Sequence, residues 1–190
     1  DEAIFNGVYP SQTLDLFSRY MPNDYEKDLI QISQPLDWIG INYYTRSLIK
    51  IDPNESFLGY KSVNGDLDIT DMGWEIYPEG LRILIERLHK KYSKKIPIFV
   101  TENGMASNDV IQDGKIKDFK RIKFYSDHLT ECIKILKKDI PLKGYFAWSL
   151  LDNFEWAYGY SKRFGIVYVD FNNLKRIPKL SWNEFRKHLK

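Results

Sequence analysis

A chain of 190 residues with 43% hydrophobic content is long enough for one medium domain with its own core, and disorder is not expected. Its 28 lysines and arginines stand against 26 aspartates and glutamates, and the formal charge of +2 argues against nucleic acid or an anionic membrane as partner. There is no run of about 18 apolar residues and no signal-like start, and the single cysteine, Cys132, permits a reducing compartment. A soluble, untargeted, cytoplasmic chain is the expectation. Residue 1 is Asp, and residues 1–10 read as the middle of a protein, so a preceding segment is expected.

In chain order, residues 11–20 suggest a helix and residues 24–32 a second, capped by Asn23 or Asp24. Residues 36–44 follow as a buried strand that turns polar at its end, with Asn42 and Tyr44 on one face because strand side chains alternate. Residues 47–77, rich in Asp, Asn and Gly, have no helical period and read as a long loop on the rim of a site. Pro78 opens a helix with Leu81, Leu84, Ile85 and Leu88 on one side.

The strand Ile96-Pro97-Ile98-Phe99-Val100-Thr101-Glu102-Asn103-Gly104 then ends abruptly on an acid followed by a turn. Catalytic groups of β/α folds sit at such strand ends. Taken alone, a glutamate there is more often a cap for the next turn. Beyond a short loop, Phe119, Ile122, Tyr125, Leu129, Ile133 and Leu136 step by three and four residues along a long amphipathic helix. A strand over 142–148, an extended segment over 164–171 and a final helix over 181–189, which Ser181 is placed to cap, complete the chain.

This pattern makes three core strands, each followed by a helix, which is less than half of a closed eight-stranded barrel. The basic run 89–95 and Lys137-Lys138 fall at helix ends, where cations suit the helix dipole. Cys132 reads as a small core residue. His89, His128 and His188 are isolated from one another, so no metal and no cofactor is expected.

Four segments, Ile39-Gly40-Ile41-Asn42-Tyr43-Tyr44, Trp74 to Leu81, Thr101-Glu102-Asn103-Gly104 and Trp148 to Trp156, resemble successive signatures of glycoside hydrolase family 1, the β-glucosidase and β-galactosidase family. Gly7-Val8-Tyr9-Pro10 resembles a further family segment. The resemblance runs nearly end to end and in order. It implies a single partial (β/α)8-barrel domain over 1–190, holding about strands 6 to 8 of a TIM barrel and lacking the N-terminal strands.

By the same resemblance Glu102 occupies the position of the nucleophile of a retaining enzyme, flanked by Asn42 and Tyr44, whose hydrogen bonds would favour the ionised carboxylate. Glu155 and Trp156 match positions that grip sugar hydroxyls, Trp148 a platform residue, and Phe164 and Trp74 walls of the site. Family members that act on phosphorylated disaccharides replace the Glu-Trp pair with a small polar residue and basic partners, so Glu155 implies an unmodified β-linked sugar as ligand.

One departure matters. The family's general acid lies in an Asn-Glu-Pro motif, and these 190 residues contain none; Asn54-Glu55 precedes Ser56 and Asn183-Glu184 lies in the terminal helix. Two expectations follow. Either the chain is the C-terminal part of a retaining β-glycosidase, active only with an N-terminal half, or it is a non-catalytic sugar-binding or structural remnant. Exposed inner-face side chains and sheet edges would favour self-association.

Overall fold

The computed structural model describes residues 1–55, 58–92 and 95–189. Ser56 and Phe57 of the expected long loop and Ser93 and Lys94 of the basic run lie outside them.

Three short helices lead in: α1 (Glu2–Asn6), α2 (Ser11–Phe17, extended by a 3-10 turn, Ser18–Tyr20) and α3 (Tyr25–Ile32). Asp24 holds the N-cap position of α3, with left-handed backbone (φ 64°), but makes no side-chain capping bond. Side chains tie α1 to the carboxyl end of a later helix, Pro78–Lys91. Glu2 pairs with Lys91 and accepts from the Tyr92 hydroxyl at 2.6 Å, while Phe5 stacks on Tyr92.

The centre is a parallel sheet of β1 (Ile39–Asn42), β4 (Ile98–Asn103) and β7 (Leu142–Ala147), in the order β1-β4-β7. Each of these strands is followed by a helix, α4 (Pro78–Lys91), α5 (Phe119–Leu136) and α6 (Leu180–Arg186) respectively. Strand alternation sends Ile41, Ile98, Val100 and Leu142 toward the helices, where they meet Leu81, Ile85, Leu88, Cys132 and Ile135 in one core. Fully burying each such aliphatic side chain contributes roughly 1.5–3 kcal/mol.

The opposite face of the sheet is open. Trp38 (53% exposed), Phe99, Thr101 and Phe146 (57% exposed) line a shallow apolar hollow of about 350 Å³.

Several expectations are corrected. The segment 47–77 is not all loop: it contains an antiparallel hairpin, β2 (Leu48–Ile51) and β3 (Tyr60–Val63), whose mostly exposed strands carry no inside-outside alternation to mark them. A smaller hairpin, β5 (Ile111–Gln112) with β6 (Lys115–Ile116), turns on Asp113-Gly114, both with positive φ.

The buried face of α5 is rotated from the expected one. Arg121, Phe124, Tyr125, His128, Glu131, Cys132 and Ile135 are buried, whereas Phe119, Ile133 and Leu136 are exposed. Periodicity marked the apolar stripe, but three polar residues with partners inside the fold take the inner positions instead. Ser181 does not cap the last helix: Lys179 stands at its N-cap, and the Ser181 amide and hydroxyl both donate to Asp118. The extended segment 164–171 narrows to β8 (Val167–Val169), paired with β9 (Arg176–Pro178).

The basic helix ends agree with expectation. His89, Lys90 and Lys91 occupy the last turn of α4, and Lys138 reaches Glu86 at 2.8 Å.

Candidate active site

At the carboxyl end of the three-stranded sheet lies a cleft of about 520 Å³. Its walls bring together all eight residues expected there: Asn42, Tyr44, Trp74, Glu102, Trp148, Glu155, Trp156 and Phe164, with Met72, Ala157 and Tyr158 added. Of these, Trp156 is 82% exposed and stands at the rim.

Glu102 reaches the cleft through an irregularity in its strand. Continued from Ile98 and Val100, strict alternation would aim residue 102 at the helices. Instead the register shifts between Val100 and Asn103 against β7 and between Ile41 and Asn42 against β1, so Asn103 is the buried residue and Glu102 faces the cleft.

The Tyr44 hydroxyl donates to Glu102 Oε2 at 2.6 Å. Burial of the Tyr44 phenol, followed by the hydrogen bond to Glu102, pushes its pKa well up, which keeps it a donor at neutral pH. Asn42 does not form the hydrogen bond to Glu102 that its position suggested. Its Oδ1 accepts from Thr101 Oγ1 at 2.7 Å, although the register shift between Ile41 and Asn42 pairs its backbone with Glu102.

Aromatic rings complete the wall. Trp74 and Phe164 pack edgewise and tilted around Tyr44, with ring centroids 5.6–6.1 Å apart. Trp74 is fixed from behind: the Thr70 amide donates to its carbonyl at 2.8 Å and its own amide donates to Thr70 Oγ1. The next residue, Glu75, accepts from Arg46 Nε at 2.7 Å and from the Leu67 amide. The carboxyl of Glu155 is pushed up by burial first and by the nearby Glu102 charge second.

Sequence reasoning missed the residues that hold Glu102 in place. Asn103 Nδ2 donates to the Tyr43 carbonyl at 2.7 Å, and its Oδ1 accepts from the Tyr145 hydroxyl, so one buried amide links β4 to both neighbours. The Tyr43 amide donates to the Glu102 carbonyl and the Trp148 amide to the Asn103 carbonyl. Trp148 is joined to Ser149 by a cis peptide bond, and its carbonyl accepts from the Tyr125 hydroxyl. A polar residue directly after a strand-terminal acid was the available signal.

Among the described residues no group of three or more His, Cys, Asp or Glu side chains is arranged to hold a metal ion. No helix among them is long and apolar enough to cross a membrane.

Comparison with solved structures places the sheet and helices within a known barrel. A family 1 β-glucosidase from Thermotoga maritima superposes with a TM-score of 0.94 at 41% identity, over 99% of this chain and 42% of that one. The same enzyme in complex with glucoimidazole gives 0.93 at 42% identity, over the same shares. The architecture is therefore part of a TIM (β/α)8 barrel, an open parallel sheet of three strands and not a closed one.

The family model for glycosyl hydrolase family 1 matches residues 1–189, and the chain belongs to that family. β-Glucosidase A of Thermotoga maritima is 44% identical over 93% of this chain and 39% of its own length. A β-glucosidase from an Agrobacterium species is 39% identical over 95% and 40%. A 6-phospho-β-galactosidase from Clostridium acetobutylicum is 33% identical over 98% and 45%. The chain thus spans about two fifths of the length of the curated relatives it matches.

Proposed function

We propose that the chain is the C-terminal part of a retaining β-glycosidase that hydrolyses terminal, non-phosphorylated β-D-glucosides or galactosides, with Glu102 as nucleophile. The observation that carries this reading is the Tyr44 to Glu102 hydrogen bond inside a cleft walled by Trp148, Glu155 and Trp156. A carboxylate held there attacks the anomeric carbon as the bond to the leaving oxygen breaks, and forms a glycosyl-enzyme ester that water then cleaves. Tyr44 orients that carboxylate. The rings of Trp148 and Trp74 suit the C–H faces of a pyranose, and Glu155 suits its hydroxyls as an acceptor.

The absence of any Lys, Arg or His among the described residues lining the cleft supports an unphosphorylated sugar, since a phosphate needs a cationic partner. Retaining chemistry also requires a second carboxyl group about 5 Å from the first to protonate the leaving oxygen. No Asn-Glu-Pro motif supplies it in these residues. An N-terminal half, on another chain or another copy, would bring it.

The test is to mix the chain with an N-terminal half from the family and assay an aryl β-glucoside. Turnover that needs both pieces and disappears with Glu102→Gln supports the proposal. No turnover in any mixture would leave the second reading, a non-catalytic sugar-binding or structural remnant.

A further inference from the structure

Behind the cleft runs a line of six alternating charges, Asp118, Arg121, Asp109, Lys179, Asp152 and Arg163, with side chains between 0% and 18% exposed. Arg121 bonds Asp118 at 2.5 Å and grips Asp109 with both terminal nitrogens. The Lys179 ammonium lies 2.5 Å from Asp109 and 2.8 Å from Asp152, and Arg163 meets Asp152 at 2.7 Å. Three anions face three cations, so the buried line is neutral as a whole.

Four of its members come from two loops, while Arg121 stands in the first turn of α5 and Lys179 at the N-cap of α6. Asp109 and Asp118 lie between β4, the strand of Glu102, and α5; Asp152 and Arg163 lie between β7 and β8. Asp152 also closes the neck of its loop, accepting from the Gly165 amide at 2.9 Å and more weakly from Val169. The residues between those necks include Glu155, Trp156 and Phe164. A buried ion pair adds little net stability over apolar packing, but it fixes geometry, because removing one member strands the others.

We propose that Lys179 is a positioning residue of the sugar site: its ammonium, shared by Asp109 and Asp152, sets the spacing between the loop behind Glu102 and the loop that carries Glu155, Trp156 and Phe164. The proposal rests on the reading of the cleft as a sugar site. It involves no contact of Lys179 with the ligand.

Amide hydrogen exchange of the chain tests it directly. In the native protein the amides of Glu155, Tyr158, Gly159 and Ser161 are hydrogen-bonded within the loop. Lys179→Met is expected to speed their exchange at least about tenfold while β4 and α4 keep their protection, and Lys179→Arg, which retains the cation, is expected to restore most of it. Unchanged loop exchange, or equal loss across β4 and α4, overturns the proposal.

Should Lys179→Met fail to fold, the double variant Lys179→Met with Asp109→Asn restores charge balance without the joint and is expected to show the same local loosening; an unfolded double variant overturns the proposal. In a reconstituted active mixture the double variant is expected to raise KM for an aryl β-glucoside about tenfold with kcat within about threefold, and a loss confined to kcat overturns it. Hydrogen exchange reads the loop and not the chemistry. A mixture without turnover therefore refutes the function proposed above and leaves the exchange result to decide the role of Lys179.

Discussion

The Tyr44 hydroxyl, two residues past the end of β1, meets Glu102 Oε2 on the neighbouring parallel strand β4 at 2.6 Å. A hydrogen bond to a carboxylate contributes about 1.5–3 kcal/mol. Tyr44→Phe is expected to lower kcat/KM for an aryl β-glucoside in a reconstituted mixture by about 10- to 100-fold. Initial rates at low substrate measure this, and a rate equal to that of the parent would remove Tyr44 from the mechanism.

Glu155 feels Glu102. Burial and then the Glu102 charge push the Glu155 carboxyl up, so in Glu102→Gln it is expected to titrate at lower pH than in the parent chain. Following the Glu155 side-chain carboxyl carbon by NMR across the acid range reads this shift. Identical curves would mean that the two carboxylates are not coupled.

His128 gives the fold an acid-sensitive element. Burial lowers its pKa from 6.5 to about 4, against a hydrogen bond from its Nδ1 position to the Phe124 carbonyl that favours the charged form. Between those values the unfolded chain binds a proton that the folded chain refuses. The contribution is therefore complete above pH 6.5 and is lost as pH falls toward 4, amounting to about 3 kcal/mol. Urea unfolding of the parent and of His128→Leu between pH 4 and 7 is expected to show a flatter pH dependence in the variant.

Cys132 is buried, and burial pushes its thiol up to about 12, with the Glu131 charge adding to the effect. Thiol reagents at pH 8 are expected to leave the native chain unlabelled and to modify it fully in denaturant, as read by mass spectrometry. Rapid labelling of the native chain would contradict the packing of α5 against the sheet.

A Cβ on Gly104 would stand 1.8 Å from the Trp148 carbonyl oxygen, a backbone atom that cannot swing aside. Gly104→Ala is expected to lower the unfolding free energy by about 2 kcal/mol or more, measured from the urea midpoint. Tolerance of the methyl group would show that β4 and β7 can separate at their ends.

Much of this was legible because the relevant signals are local. The apolar runs of β1, β4 and β7, the proline opening α4 and the acid ending β4 follow from short-range chemistry, and they place Glu102, Trp148 and Glu155 at one end of the sheet. What escaped depends on distant partners. Arg121 looks like a surface residue of a helix until Asp109 and the Arg163 carbonyl, both outside that helix, are seen to bind it. Asn42 was misassigned in its hydrogen bond because residue type does not tell which of two adjacent groups on β4, Thr101 or Glu102, its side chain takes as partner. The β2–β3 hairpin escaped for another reason: it is a mostly exposed ribbon with no buried face to impose alternation.

The strand bearing Glu102 is the middle one of three, so both its margins are already occupied. Only β1 and β7 offer free backbone at their outer borders, and any polypeptide that joins the sheet must seat there, one strand away from the carboxylate. A complementing piece would thus meet Glu102 already held in its cleft by Tyr44. Mismatch at such a seam would weaken attachment long before it disturbed the acid itself.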